Sequence, residues 1–395
     1  MKITGVTCHV LLDPGFEADA TSSAQDTIVV EVETDEGLVG IGETDLNAWI
    51  ARECIEAPGM HKMDAGLGET LLGMDPLDPV AAWDRLYVGT AMTGRRGAAV
   101  HALGALDLAL WDICGKAAGK PTWQLLGEVA RDSLTPYASL LPHARDLDSF
   151  QQALVDQAAW ARKLGFRAAK LELLWTGPYA STGLDEPDTR MIETIAATRK
   201  VVGPDFAIMV DVAYAWSSPA HALEIIESWA DYDVFFVETP LWADDLAGYA
   251  ELSRRSPTPI AAGEWLATRF EFVDLMDRGG VQVVQPDVGR VGGLTEARRV
   301  CELAAERGRT VVPHGWKTGI TVAATAHLAA ITGHMPFFEF VPQEVAESAL
   351  RRELVTDELA LVDGALALPA RPGLGIELNR EALERFAEAA RQIRP

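Results

Sequence analysis

The second half of the chain alternates short apolar runs with stretches of helical periodicity. From about residue 134, eight runs rich in β-branched and aromatic residues are separated by segments such as DSFQQALVDQAAWARKLG. Runs of this length favour buried strands, and the segments between them favour helices. The pattern therefore predicts repeated strand–helix units and a parallel sheet.

Polar residues follow the last six of these runs at regular intervals. The intervals are 27, 26, 23, 27 and 25 residues, and the residues are Asp211, Glu238, Glu264, Asp287, His314 and Glu339. A near-constant step of this size is that of one strand–helix unit. Eight such units with right-handed crossovers predict the α/β class and a (β/α)₈, TIM-like barrel. The alternative, a doubly wound open sheet, usually has a Gly-rich loop after its first strand, and this sequence has none there.

Residues outside the predicted barrel have a different pattern. Residues 1–128 begin with two β-rich runs joined by the turn signal DEG and continue with apolar helical stretches, which predicts an α+β capping domain. The barrel is expected over residues 129–354. The tail, residues 355–395, has Gly- and Pro-punctuated strand signals and a closing helix, and we expect it to pack back on the capping domain.

Charge and composition narrow the class of partner. The net charge is −24, which disfavours binding to nucleic acids and to anionic membranes. The chain contains no run of 18 apolar residues, so no membrane-spanning segment is expected. The four cysteines are widely spaced and the N-terminus has no signal-peptide pattern, so a cytoplasmic location is expected. A small anionic substrate remains compatible with this charge if a bound cation reverses the local field.

Three of the polar residues predict a metal site. Asp211, Glu238 and Glu264 follow three consecutive strands, and the carboxyl ends of barrel strands meet at one mouth. Like charges held this close need a cation among them. Each carboxylate alone could be a solvated strand end, but three in register favour Mg²⁺ or Mn²⁺, which prefer oxygen ligands.

Two further residues predict a proton-transfer pair. Asp287 and His314 follow adjacent strands, so the carboxylate is expected to orient the imidazole and increase its basicity. A single histidine beside an apolar strand is more often structural, but a paired one facing a metal can act as a general base. The sequence has neither a G-x-S-x-G turn nor an H-E-x-x-H helix, which disfavours acyl transfer and zinc proteolysis.

The second predicted strand, AAKLELL, places Lys170 and Glu172 on the same face, because side chains alternate along a strand. A lysine near a bound cation would have a lowered pKa and could act as a base or hold a substrate carboxylate. The alternative is a buried ion pair without a catalytic role.

These residues together resemble the enolase superfamily, and within it the mandelate racemase subgroup. The resemblance covers nearly the whole chain, including the segment ALGALDLALWDICGKAAGKPTWQLLG and the tail motif GLGIEL. It implies an enzyme that binds Mg²⁺ and a small carboxylate substrate and forms a homo-oligomer. It also implies residue roles: Mg²⁺ ligands at Asp211, Glu238 and Glu264, a catalytic Asp287–His314 dyad, a substrate-binding acid at Glu339, and a strand-two lysine at Lys170.

The sequence departs from the family pattern at two positions. The second lysine of the strand-two Lys-x-Lys motif is Glu172 here, and the asparagine of the strand-three Asp-x-Asn motif is Ala213. Racemisation needs a base on each face of the α-carbon, so the loss of a lysine favours a one-base reaction. We therefore expect dehydration of a sugar acid, an aldonate or an aldarate, to a 2-keto-3-deoxy acid. The alternatives are a racemase or epimerase of a 2-hydroxy or amino acid, a cycloisomerase, and a non-catalytic barrel.

The loops at the predicted mouth are rich in aromatic residues. They could form flat walls for a polyol or pack the barrel rim, and they include Trp175, Tyr214, Trp216, Trp242, Trp265, Trp316 and Lys317. Arg95 and Arg96 could reach a distal carboxylate. We expect the early loop DPGFEADATSS to cover the mouth.

Overall fold

The computed structural model describes residues 1–393. The N-terminal part contains a three-stranded antiparallel sheet, ordered β1-β2-β3, and helices packed against it. Its elements are β1 (Ile3–Leu12), β2 (Asp26–Thr34), β3 (Val39–Thr44), α1 (Ala48–Glu56), α2 (Leu67–Leu71), α3 (Pro79–Gly89), α4 (Ala98–Ala118) and α5 (Trp123–Leu126).

Helix α4 is the core of this capping domain. It lies so close to β3 that a Cβ atom at Gly40 or Gly42 would overlap the helix backbone at Ala109 or Ala105. Its length and apolar composition would allow it to cross a membrane, which differs from the sequence expectation of no candidate span, but nearly all of it is buried inside the protein. A helix that is apolar all round and enclosed in this way is typical of a protein core.

The remaining described chain begins with the short β4 (Ser133–Leu134) and then forms eight strand–helix units. The strands are β5 (Pro136–Leu140), β6 (Ala168–Glu172), β7 (Ala207–Asp211), β8 (Val234–Glu238), β9 (Ile260–Ala262), β10 (Val283–Val284), β11 (Thr310–Val311) and β12 (Phe338–Phe340). The helices that follow them are α6 (Leu147–Lys163), α7 (Met191–Val202), α8 (Pro219–Glu227), α9 (Leu246–Arg255), α10 (Thr268–Asp277), α11 (Gly293–Glu306), α12 (Gly319–Ile331) and α13 (Ala349–Glu353).

These eight strands form one parallel sheet that curls into a barrel. Its order runs from β11 through β10, β9, β8, β7, β6 and β5 to β12. The Val311 N–H in β11 donates to the carbonyl of His334, just before β12, so backbone hydrogen bonding continues between the two ends of the sheet. The predicted barrel with an N-terminal capping domain is therefore confirmed.

The barrel interior explains why acidic residues meet at one end. Buried apolar side chains, including Met209 and Phe236, fill the inside of the sheet. Asp211 and Glu238 lie two residues further along the same strands, so they point inward and reach the mouth.

The prediction that each polar residue closes a strand is correct for only two of the six. Asp211 and Glu238 end β7 and β8, but Glu264, Asp287 and His314 lie beyond β9, β10 and β11, and Glu339 is in the middle of β12. A proline directly precedes two of these residues, at positions 286 and 313. Proline has no backbone N–H, so the parallel ladder ends before them and the dyad residues lie on loops.

The tail contacts both parts of the protein. Its elements are β13 (Val355–Thr356), β14 (Leu361–Val362), β15 (Ala365–Ala367), β16 (Glu377–Leu378) and α14 (Arg380–Ile393). Strand β15 pairs with β4 at the start of the barrel, and β13 pairs with β16. Helix α14 packs against β1, and the Arg380 guanidinium binds the Glu31 carboxylate on the neighbouring β2.

Candidate active site

A buried lysine lies among four carboxylates at the barrel mouth. The Lys170 side chain is 1% exposed, and its Nζ lies 2.7 Å from Oε1 of Glu238, 2.8 Å from Oε1 of Glu339, 3.5 Å from Oε1 of Glu172 and 3.7 Å from Oδ2 of Asp211. Lys170 and Glu172 face the inside of the barrel, as predicted. Because β6 pairs with β7, they lie beside Asp211 at the mouth.

The sequence expectation of a lowered pKa for Lys170 concerns a site with a bound cation, and the protein's own groups act in the opposite direction. Burial opposes the charge, but the carboxylates of Glu172, Glu238 and Glu339 outweigh it and raise the pKa of Lys170 well above its usual value. Lys170 is therefore an ammonium in this structure and not a base. Across the cluster, burial also raises the pKa of Glu172 well above its usual range, and the Ser139 hydroxyl donates to its Oε1 at 3.1 Å.

The mouth holds more buried negative charge than positive charge. Burial raises the pKa of Glu238 to about 8, with Lys170 opposing the shift and Asp211 adding to it. Burial also raises the pKa of Glu264, against the opposing effect of His314 and Arg290. Burial is the main cause of both shifts and the like charge of Asp211 adds to it, so a bound cation would stabilise the ionised forms of Glu238 and Glu264.

The dyad predicted from the sequence is formed. His314 Nδ1 lies 2.6 Å from Oδ2 of Asp287, while Nε2 lies 3.1 Å from Oε2 of Glu264 and 4.0 Å from Oε2 of Glu339. Burial lowers the pKa of His314, but Glu339, the hydrogen bond with Asp287 and Glu264 outweigh burial and raise the pKa to about 9. Nε2, the imidazole nitrogen that does not contact Asp287, therefore faces the carboxylate cluster, where a substrate carbon would lie.

Glu339 accepts hydrogen bonds in this arrangement. Its Oε2 receives the Gly315 N–H at 2.9 Å, from the loop that carries His314. Burial opposes ionisation, but Lys170 and His314 outweigh it and lower the pKa of Glu339 to about 2. A substrate-binding role at Glu339 as a hydrogen-bond donor would therefore require a change in its protonation state.

Two family models match the chain and together span most of it. The description "Enolase C-terminal domain-like" matches residues 153–382, and "Mandelate racemase / muconate lactonizing enzyme, N-terminal domain" matches residues 2–127. The chain belongs to the enolase superfamily. Within it, the chain belongs to the mandelate racemase/muconate lactonizing enzyme subgroup, as the sequence resemblance implies.

Relatives within this superfamily act on sugar acids and their lactones. The chain is 33% identical to an L-rhamnonate dehydratase of Saccharopolyspora erythraea over 90% of this chain and 84% of the relative. It is 31% identical to a D-galactarolactone cycloisomerase of Agrobacterium fabrum over 98% of this chain and 99% of the relative. A solved racemase from Streptomyces coelicolor with bound magnesium has a TM-score of 0.82 at 26% identity and covers 97% of this chain and 99% of that one.

A second buried group of potential metal ligands lies beside the dyad. One ligand atom from each of Asp45, Asp287 and His314 lies within 4.8 Å of the others. However, Asp45 already accepts from Arg290 at 2.6 Å and lies 3.2 Å from Lys317 Nζ. Despite burial, these two cations lower the pKa of Asp45, so its charge is compensated without a metal. The uncompensated carboxylates at Lys170 are the better match for a divalent cation.

The predicted metal ligands Asp211, Glu238 and Glu264 are brought to the same mouth but face different partners. Asp211 and Glu238 turn toward Lys170. Glu264 lies 3.6 Å from Nη1 of Arg290 as well as against His314. All three are buried oxygen donors, a set that suits Mg²⁺.

Asp45 was not predicted from the sequence. It follows β3 directly, in the segment GETDLNAW, so a polar residue after a buried strand is the same signal that identified the barrel residues. Nothing in the sequence, however, indicates that β3 points at the barrel mouth.

The capping domain also anchors both dyad loops through buried carboxylates. Asp107 of α4 accepts from the backbone N–H and hydroxyl of Thr295, in the first turn of α11, which follows the Asp287 loop. Glu43 of β3 accepts from the backbone N–H groups of Thr318 and Thr321 at the start of α12, which follows the His314 loop. Each carboxylate acts as a helix cap supplied by another domain.

The aromatic residues of the mouth loops mostly form buried packing. Trp175, Trp216 and Tyr214 are 0%, 4% and 4% exposed, and Trp242 is the exposed member at 47%. Lys317 is also buried, in contact with Asp45, so it does not present a free charge.

Arg96 and the early loop were also expected to lie near the mouth. Arg96 is paired with Glu271 on α10 at 2.9 Å. The early loop, residues 13–23, lies against the mouth, where the Trp316 indole N–H donates to Ser22 Oγ at 2.9 Å.

Proposed function

We propose that the protein catalyses the Mg²⁺-dependent dehydration of a sugar acid to a 2-keto-3-deoxy acid. The observation that carries the proposal is a single ordered base, His314 with Asp287, opposite a lysine that is enclosed by carboxylates. Relatives with dehydratase activity on sugar acids support the same reaction type.

His314 would take the proton from C2 of the substrate. The protein's own groups raise the pKa of His314 to about 9, and a cation held by the neighbouring carboxylates would oppose that shift. Nε2 could then accept the proton, while the hydrogen bond from Nδ1 to Asp287 stabilises the imidazolium that forms. The C2–H electron pair moves into the C1–C2 bond and gives an enolate. Asp211, Glu238 and Glu264 would hold Mg²⁺, which when bound supplies positive charge that stabilises the second negative charge on the substrate carboxylate.

The protonated His314 would then complete the elimination. It gives its proton to the C3 hydroxyl, the C3–O bond breaks, and water leaves. The product is an enol with a C2=C3 double bond, which takes up a proton at C3 as the C2 hydroxyl releases its own, and so becomes the 2-keto acid. One base therefore removes and returns one proton, and the reaction needs no base on the opposite face.

Lys170 and Glu172 would have supporting parts in this reaction. The Lys170 ammonium offsets the charge of the neighbouring carboxylates, and Glu172 is held by Ser139. Epimerisation would require one of them to exchange a proton with C2, and the burial and ion pairing of Lys170 disfavour this.

A lactone cycloisomerase is a second candidate, favoured by the 31% identity to the enzyme of Agrobacterium fabrum over almost the entire chain. It would use the same proton abstraction at the carbon next to a carboxylate, but the leaving group would be the lactone oxygen.

One experiment separates these reactions. The protein with Mg²⁺ is incubated in D₂O with a library of aldonates, aldarates and aldarolactones, and products are followed by semicarbazide absorbance and NMR. Dehydration gives a semicarbazide-positive product from a free acid. Deuterium at C2 without a keto product would indicate epimerisation, and turnover of lactones alone would indicate cycloisomerisation. No turnover across the library would contradict all three reactions.

A further inference from the structure

A polar cavity of about 220 Å³ lies at the outer side of the mouth, under the early loop. Its walls come from the early loop, from the loops after β5 and β6, and from the segment after β12. The polar side chains in these walls include Glu17, Thr21, His143, Ser181 and Glu347. Four separate segments of chain therefore meet around a space that can hold part of a small polar ligand.

Glu347 connects this cavity with the reaction centre. It also lines a narrower cavity further in, together with Ser139, Trp316 and Lys317. Ser139 donates to Glu172, and Trp316 is two residues after His314. This inner cavity has a volume of only about 10 Å³, so a substrate whose C2 faces His314 would have to displace the Trp316 side chain to place its far end at Glu347.

The Glu347 side chain is 23% exposed, but one of its two carboxylate oxygens, Oε1, is buried without a hydrogen-bond partner. Burial raises the pKa of Glu347, and a hydrogen bond with Ser22 offsets this only in part. The neighbouring His143 is 68% exposed, and its Nδ1 is 4.0 Å from Oε2, the other oxygen. A buried acceptor without a donor is costly, so a ligand donor at this position would be stabilising.

We propose that Glu347 accepts a hydrogen bond from a hydroxyl at the far end of the substrate and selects aldonates over aldarates. This inference rests on the proposed dehydratase function. An aldonate ends in a primary alcohol, which can donate to Oε1. An aldarate ends in a second carboxylate, which has no donor when ionised and would be repelled by Glu347 and Glu17. Arg145 also lines the cavity, but it is exposed, where water and salt screen its charge.

The test compares aldonates and aldarates of matched configuration: gluconate with glucarate, galactonate with galactarate, and mannonate with mannarate. For the pair whose configuration the enzyme accepts, we expect kcat/KM at least tenfold higher for the aldonate. Glu347→Gln should lower kcat/KM for the aldonate at least tenfold, mainly by raising KM. It should also bring the ratio of kcat/KM for the aldonate to kcat/KM for the aldarate closer to one. Glu344→Gln, an exposed change on the same segment, is the matched control and should leave the ratio unchanged.

A binding measurement keeps the inference separate from the reaction. Calorimetry with His314→Asn protein measures the affinity for each acid without turnover, and adding Glu347→Gln should weaken aldonate binding at least tenfold. If no acid is dehydrated but this loss of affinity is seen, the dehydratase proposal fails and the Glu347 site stands. The Glu347 inference is overturned if the wild-type protein prefers the aldarate, if Arg145→Gln alone removes selectivity, or if Glu347→Gln leaves the ratio and the affinity unchanged.

Discussion

His314 and Asp287 form a buried pair, 4% and 0% exposed, in which Nδ1 of the imidazole lies 2.6 Å from Oδ2 of the carboxylate. Because Asp287 fixes which nitrogen is available, His314→Asn should lower kcat by about 10²–10⁴-fold, the usual contribution of a general base. Asp287→Asn should lower kcat by about 10–100-fold by disturbing the ring orientation. Steady-state kinetics on the best acid substrate measures both effects. The exposed His221→Asn is the control, and wild-type turnover by His314→Asn would refute the assignment.

The two candidate groups of metal ligands can be separated by mutation. Glu238→Gln and Glu264→Gln should each weaken Mg²⁺ binding by at least about 100-fold, because each removes a charged oxygen ligand. Asp45→Asn should change the affinity by less than about threefold, because Arg290 and Lys317 already compensate Asp45. Titration calorimetry with Mg²⁺ on chelator-treated protein measures this. The reverse ranking would place the ion at Asp45, Asp287 and His314.

Lys170 should stabilise the protein most when no metal is bound. Lys170→Met leaves buried carboxylates without their cation, which typically costs about 3–5 kcal/mol in the free energy of unfolding. Added Mg²⁺ should therefore raise the Tm of the variant more than that of the wild type. Thermal unfolding with and without Mg²⁺ provides the comparison, and the exposed Lys200→Met serves as control. An equal Mg²⁺-induced shift in both proteins would mean that Lys170 and the metal do not share the same carboxylates.

Asp107 should make the stability of the fold sensitive to pH. Burial raises its pKa from 3.8 to about 7, although hydrogen bonds from Thr295 act in the opposite direction. Between pH 3.8 and about pH 7, Asp107 is ionised in the unfolded chain but protonated in the folded chain. Its contribution to the free energy of unfolding therefore falls as pH rises through the folded pKa.

Asp107→Asn removes that ionisation while keeping a carbonyl oxygen that can accept from Thr295. The Tm difference between variant and wild type should therefore move in favour of the variant between pH 5 and pH 8. Differential scanning calorimetry at a fixed scan rate checks this, with the exposed Asp84→Asn as control. A Tm difference that does not change with pH would contradict the prediction.

The barrel could be predicted because its strand–helix units repeat along the sequence, and a repeat survives errors in the individual boundaries. The inward direction of Lys170 and Glu172 followed from one local rule, the alternation of side chains along β6, whereas the ion pair of Lys170 with Glu238 was not predicted. The strands themselves proved shorter than the apolar runs, because residues such as Val312 are buried in the mouth loops without pairing on both sides.

Contacts between the domains could not be predicted in the same way. Asp45 and Glu43 each bind a partner more than 240 residues away, Gly289 and Thr318 respectively. No periodic pattern connects such positions. The number of carboxylates around Lys170 was also not predicted, since spacing along the chain does not reveal how many of them meet at one point in space.

The barrel depends on Asp107 and Glu43 of the capping domain, because these carboxylates accept hydrogen bonds from the start of two barrel helices. Helix α11 follows Gly292 and has no side-chain cap of its own, and in α12 the Thr318 hydroxyl caps the Ile320 N–H. The further acceptors, Asp107 and Glu43, come from the first part of the chain. A recombinant in which this barrel received the capping domain of a relative would gain new loops over the substrate, but it would keep its catalytic loops in place only if the donor carried acids at these two positions. An exchange of the capping domain can therefore alter both substrate specificity and the position of the catalytic loops.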